Sequence, residues 1–181
     1  MTPTLLMLIG IPGSGKSSWL NSQKKGNLRT LIDNEPFWIV CPDALRKKRF
    51  DNVSDQSQNT AVWQEAKDLT IGFLQHGTAI ILDATNVNTK YRRDFISELP
   101  PCKLLAKVFP VTPETAWERV MDDLLAGRDR ATVPEETIYR MYGEFLYTMK
   151  VLPSEGFEFL EDTKCDCNPW AHYPYVCTGT L

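Results

Sequence analysis

The sequence has no apolar run approaching the ~20 residues needed to cross a bilayer, which excludes a membrane-spanning helix. Its early apolar stretch, Leu5–Ile9, is short and has no basic segment before it, so no secretory leader is expected. The expected compartment is the cytoplasm, where the five cysteines would stay reduced. Positive charge is also in short supply. A formal net charge of −3 provides no overall attraction to polyanions and leaves only local basic sites. Internal repeats, low-complexity segments and linkers are absent, so the 181 residues are expected to form one domain over 1–181, with an irregular tail over about 162–181. At this length folding buries about 70% of the unfolded surface, enough for a core without disulfides or a structural metal.

What the chain does have is an alternation of apolar strands and helices. Thr4–Ile9 is apolar on both faces, as a strand of a covered parallel sheet must be. Short runs at Phe37–Val40, Thr78–Leu82, Leu104–Val111 and Phe157–Leu160 extend the series. Between them, Val62, Trp63, Ala66, Leu69, Phe73 and Leu74 recur at helical spacing and Gly77 supplies a left-handed stop. Thr112 and Pro113 form an N-cap and first helical residue, for a helix ending near Leu125. Thr132 and Pro134 open another, whose stripe of Ile138, Met141, Tyr142, Phe145, Leu146 and Met149 is expected to pack into the core. Strands alternating with helices predict an α/β fold with a mainly parallel central sheet and helices on both faces.

The first strand runs into Gly10-Ile11-Pro12-Gly13-Ser14-Gly15-Lys16-Ser17, a full match to GxxxxGK[ST], with Ser18 next in the helix that follows. Glycines let successive backbone N–H groups turn inward around a phosphate. A lysine here reaches the β- and γ-phosphates, the hydroxyl of Ser17 is a ligand for Mg²⁺, and the positive helix end favours the anion. Gly10, Pro12, Gly13, Ser14, Gly15, Lys16, Ser17 and Ser18 are therefore the expected ATP-binding residues, in a P-loop fold.

Two further acidic positions stand at strand ends. Ala79-Ile80-Ile81-Leu82-Asp83 has the form of a Walker B element, whose aspartate holds Mg²⁺. Asp83 could equally be a turn or helix-cap residue, since Ala84-Thr85-Asn86 follows. Asp43 lies just past the second strand, at the carboxyl edge where open α/β sheets bind ligands, and Arg46 follows one helical turn later. A carboxylate there can take the proton of an attacking hydroxyl, and the arginine can hold a phosphate. The plainer reading, with Pro42 before it, is that Asp43 caps a helix; spacing alone leaves both open.

In these features the chain resembles the kinase module of phage and bacterial 5′-polynucleotide kinases. The similarity runs in order over roughly residues 4–160: the loop at 10–17, Asp43-x-x-Arg46, Asp83-Ala84-Thr85-Asn86, the pair Arg92-Arg93, and Arg128 ahead of the Val133-Pro134 helix start. The resemblance implies in-line transfer of the ATP γ-phosphoryl group to a nucleic acid 5′-hydroxyl, DNA or RNA. It implies Asp43 as general base, Lys16 and Arg128 at the transferring group, and Arg46, Asp83 and Arg92 on the substrate side. Ser17 and Asp83 would serve Mg²⁺. The stretch between Arg119 and Arg128 is longer than in the phage enzyme, so Arg130 is a second candidate for the lid arginine and Arg119 for a phosphate contact. The runs Arg46-Lys47-Lys48-Arg49 and Lys90, Arg92, Arg93 are either solvated surface or a track for a phosphate backbone. A kinase for a small hydroxyl acceptor (a nucleoside, sugar or antibiotic) would need the same Asp43 without the basic run. A nucleotide-binding protein lacking transferase activity would leave Asp43, Arg46 and Arg128 unexplained.

Other features carry less. Cys165, Cys167, His172 and Cys177 lack the usual Cys-x₂₋₄-Cys spacing of a zinc site and are expected to be an ordinary tail. Thr163-Lys164-Cys165-Asp166 is like a guanine-reading motif, but Asp83 is not followed by the Asp-x-x-Gly of a GTPase switch. His76 falls at a helix end, where the dipole accounts for it.

Overall fold

A computed structural model of the chain describes residues 2–25, 37–50, 57–128 and 131–160. Five strands, β1 (Thr4–Ile9), β2 (Phe37–Val40), β3 (Ala79–Leu82), β4 (Lys103–Val108) and β5 (Glu158–Phe159), form one sheet in the order β2-β3-β1-β4-β5. All four pairings are parallel. β1 is central, and all six of its residues are buried, which accounts for a strand without polar alternation. Its neighbours lie on either side through crossovers that leave in opposite directions, the switch point at which open α/β sheets form a ligand crevice. The register aligns Met7 with Leu82 and Leu82 with Val40, so the phosphate loop, Asp83 and Asp43 all emerge at the same carboxyl edge.

Among the described residues six helices follow the strands: α1 (Lys16–Lys25), α2 (Pro42–Phe50), α3 (Asn59–Gln75), α4 (Thr89–Ser97), α5 (Pro113–Leu125) and α6 (Glu135–Val151), with a 3₁₀ turn at Leu152–Glu155. Leu5, Met7, Ile9, Ile80 and Leu82 point to one face and pack with Ala66 of α3, Phe95 of α4, Val120 of α5 and Phe145 of α6. Leu6, Leu8, Ile81 and Phe109 point to the other and meet Leu20 of α1. No helix among the described residues is long and apolar enough to cross a membrane.

Helix starts follow local chemistry. The Thr112 hydroxyl accepts from the Thr115 N–H with Pro113 next, a cap worth about 1 kcal/mol. Asn88 does the same for α4 through Tyr91. Pro134 precedes α6, whose first turn carries Glu135 and Glu136 on the positive end of the dipole. His76 ends α3, its Nδ1 2.7 Å from the Gly72 carbonyl, and Gly77 adopts φ 76.

Several boundaries and faces differ from the sequence expectation. β4 stops at Val108, not Val111, and β5 is shortened to Glu158–Phe159. α4 has no counterpart among the expected elements. In α3 the buried face is Val62, Ala66, Thr70 and Leu74, while Leu69 is exposed. Thr70 is tolerated there because its hydroxyl donates to the Ala66 carbonyl at 2.8 Å. In α6 Leu146 is likewise exposed, and Thr148 is buried instead.

Candidate active site

The phosphate loop begins where β1 runs out. Lys16, the first residue of α1, is 9% exposed and folds its ammonium back into the loop. It donates to the carbonyls of Gly10 at 2.7 Å and Ile11 at 2.9 Å, and to Ser14 Oγ at 3.3 Å. The cavity that would receive a phosphate is thus closed around a cation. Ser14 N–H donates to Ile11 O at 3.2 Å, and Trp19 N–H to Gly15 O at 2.9 Å starts the helix. Pro12 sits in the loop, while Ser17 and Ser18 are exposed on the first turn of α1. Gly13 is required twice over: its φ is +79°, and a Cβ on it would lie 2.3 Å from the Ala116 carbonyl of α5.

That close approach carries a second consequence. One turn beyond Ala116, the exposed Arg119 places Nη1 3.4 Å from the Gly13 carbonyl. Arg119 is thereby brought to the phosphate loop. Arg128, just past α5, is held elsewhere: its Nη1 is 2.5 Å from Asp123 Oδ1 and its side chain is 72% exposed. Arg130 lies outside the described residues, as do Cys165, Cys167, His172 and Cys177.

Asp83 leaves β3 with its N–H on the Val40 carbonyl at 2.9 Å. It does not cap α4; Asn88 does. The segment after it is keyed to the phosphate loop. Gly10 N–H donates to Thr85 O at 3.0 Å, and Asn86 Nδ2 donates to Leu8 O at 2.8 Å. Asn86 takes φ 49, a left-handed conformation that asparagine tolerates better than most residues. Between the two acidic positions lies Cys41. Burial pushes its thiol up to about 11, and the charges of Asp83 and Asp43 push the same way.

Asp43 stands in the first turn of α2 with its side chain 64% exposed, while Arg46 is 3% exposed beneath it. Arg46 Nη1 donates to Asp43 Oδ1, and Nη2 donates to Asn59 Oδ1 at 2.8 Å. The guanidinium is spent first on orienting the carboxylate, so an acceptor phosphate would have to share it. Asn59, at the start of α3, escapes a reading of the sequence because it is 13 residues from its partner and belongs to no motif. Lys47, Lys48 and Arg49 are exposed on α2, with Arg49 Nε 3.2 Å from Glu65 Oε2.

Arg92 corrects the expectation of a substrate contact. Its side chain is wholly buried, bonded through Nε to Glu155 Oε2 at 2.7 Å and through Nη2 to Glu155 Oε1 at 3.0 Å. Nη1 donates to Asn86 O at 2.7 Å. With Thr148 and Thr89 taking its remaining N–H groups, all five donors are met inside the protein and none is left for a substrate.

A family model for an AAA domain, AAA_33, matches residues 5–146. The chain belongs to this family. The phosphate loop at the end of a buried parallel strand gives this AAA domain a P-loop fold suited to binding a nucleotide. Among solved structures it is similar to a chain of the Pnkp1/Rnl/Hen1 RNA repair complex, with TM-score 0.69 and 22% identity over 93% of this chain. A second Pnkp1/Rnl/Hen1 complex gives TM-score 0.56 and 24% identity over 65%. The domain spans 53% and 39% of those two chains. A candidate kinase of Chloroflexus aurantiacus J-10-fl gives TM-score 0.57 and 17% identity, covering 84% of this chain and 97% of that one. No curated protein matches the sequence.

Proposed function

We propose that this AAA domain transfers the γ-phosphoryl group of ATP to the 5′-hydroxyl end of DNA or RNA. The observation that carries the reading is the acceptor side: an exposed carboxylate, Asp43, oriented by a buried arginine that is itself locked to Asn59. The likeness to chains of RNA repair complexes supports a nucleic acid acceptor.

In the proposed reaction the acceptor hydroxyl attacks the γ-phosphorus in line. Its proton passes to Asp43, the bond from the γ-phosphorus to the bridging oxygen breaks, and ADP leaves. Lys16 moves from the Gly10 and Ile11 carbonyls to the β- and γ-phosphate oxygens, and Arg128, once it exchanges Asp123 for the nucleotide, supplies positive charge to the transferring group. Arg119 is placed to meet the same phosphates beside Gly13. Arg46 holds Asp43 and shares its remaining capacity with the phosphate next to the acceptor hydroxyl. Ser17, on the first turn of α1, and Asp83, just past β3, are hard oxygen donors that would suit Mg²⁺, and the ion would neutralise charge on the substrate phosphates.

The test is transfer of labelled γ-phosphate to 5′-hydroxyl DNA and RNA oligonucleotides, a 3′-nucleotide, nucleosides, and sugar and antibiotic hydroxyls. Labelling of oligonucleotides and the 3′-nucleotide, without nucleosides, is the expected result. Labelling of a small molecule alone would assign Asp43 to that acceptor and end the nucleic acid reading.

The basic face of α2 makes a separate expectation. Replacing Lys47 and Lys48 together with alanine should flatten the salt dependence of kcat/KM for oligonucleotides, by about 0.7 in log–log slope for each single-strand phosphate that is no longer neutralised. An unchanged slope in the double variant would leave the run as solvated surface.

A further inference from the structure

The geometry points to Arg92 and Glu155 as a positioning pair that sets the Asp83–Asn86 segment against the phosphate loop. The pair is buried on both sides, with side-chain exposures of 0% and 5%. Burying two charges is costly, and an apolar pair of similar volume is often as stable or more so. What the pair holds is therefore more informative than its strength.

It holds three parts of the site together. Arg92 Nη1 donates to the Asn86 carbonyl at 2.7 Å and to Thr148 Oγ1 of α6 at 3.2 Å. Thr148 in turn donates to the Val87 carbonyl. Glu155, in the 3₁₀ turn after α6, takes both Nε and Nη2 of Arg92, and its Oε1 also accepts from Arg93 at 2.9 Å. Two successive carbonyls of the segment, Asn86 and Val87, are thus fixed from the α4–α6 side. The same segment is fixed from the other side by Gly10 N–H on Thr85 and by Asn86 Nδ2 on Leu8.

The result is a strap between α6 and the first glycine of the phosphate loop, with Asp83 at its upstream end. Groups behind a ligand set commonly change affinity or rate by about 10–100-fold when removed, because they fix its orientation. Arg92 acts here through Asp83 and Gly10 and touches no reacting atom. The inference rests on a phosphate-site role for Asp83 and not on which hydroxyl accepts.

Arg92→Ala alone would leave the buried Glu155 with only the exposed Arg93 as its ion-pair partner, so the informative variant is Arg92→Met with Glu155→Leu, which removes both charges of the buried pair. Native-state hydrogen exchange should then quicken at Gly10 and Asp83, with the Phe109 amide, bonded to Ile9 across the sheet, unchanged. Over the same change kcat should fall on the order of 10-fold or more while KM for ATP changes little. Thr148→Val, which removes one hydroxyl and leaves the ion pair, should give a smaller effect of the same local pattern and carries the test if the double variant does not fold. Unchanged exchange at Gly10 and Asp83, exchange raised equally at Phe109, or locally raised exchange with wild-type kcat would each overturn the inference. The exchange measurement needs no acceptor, so it separates failure of the strap from failure of the 5′-end reading.

Discussion

Asp43→Asn is expected to leave ATP binding intact and to slow phosphoryl transfer by about 10²–10⁴-fold, the usual contribution of a positioned general base. Asparagine is the sharper replacement because of what Arg46 does. The Arg46 guanidinium is buried and donates to Asp43 Oδ1, and an asparagine Oδ1 can accept that same bond. The acceptor side then keeps its geometry and loses only the ability to take a proton. Asp43→Ala removes both, and leaves Arg46 anchored by Asn59. If Asp43 is the base, the two variants fall together. If Asp43 matters only as an anchor for Arg46, the asparagine variant retains transfer while alanine loses it. Single-turnover transfer at saturating ATP, with nucleotide binding measured separately, distinguishes the two. Retention of near wild-type transfer by Asp43→Asn would remove Asp43 as the proton acceptor.

Arg46 should respond differently. It sits behind Asp43, and a phosphorylated acceptor would draw on the same guanidinium. Arg46→Lys would keep a charge but lose the planar fork that reaches Asp43 and Asn59 at once.

How legible these features are depends on the range of the interaction behind them. β1 and its loop are readable because six buried residues run straight into a contiguous phosphate motif. The α5 start is readable because Thr112 and Pro113 cap it locally. α4 is not, because its buried face is Arg92 and Phe95, and a charged residue on that face breaks the apolar period. What makes Arg92 tolerable inside is Glu155, 63 positions away, and no local pattern announces that pairing. The same range effect hides Asn59 from Arg46, 13 positions away. Thr70 and Leu69 show the helical version. The period is plain in the sequence, but hydrophobicity favours Leu69 for the inner face, whereas the structure buries a threonine whose hydroxyl is satisfied within its own helix. In the candidate site, therefore, motif positions are visible and the residues that orient them are not.

Lys16→Ala should have a comparably large effect on transfer, and of a different kind. In this structure the Lys16 ammonium is nine-tenths buried and satisfies the carbonyls of Gly10 and Ile11 together with Ser14 Oγ. Those bonds draw the loop into a curl around the ammonium. Alanine leaves the Ile11 carbonyl with the Ser14 N–H but takes the lysine donor from the Gly10 carbonyl, and a buried acceptor without a donor costs about 1–3 kcal/mol. The free protein should therefore lose stability, and the loop should lose its shape as well as its charge. On transfer, loss of one charged donor at the phosphates is worth about 10²–10³-fold. Unlike Asp43→Asn, this change should appear in KM for ATP as well as in kcat. Arginine should not rescue it, because a planar guanidinium cannot point three donors into a site shaped around one nitrogen. Thermal unfolding provides the check: wild-type protein at about 100 times Kd of ATP should gain about 2.7 kcal/mol, and the variant should gain little at the same concentration. A variant that kept the full ATP-induced shift and transferred phosphate would show that nucleotide is held somewhere other than the loop at residues 10–17.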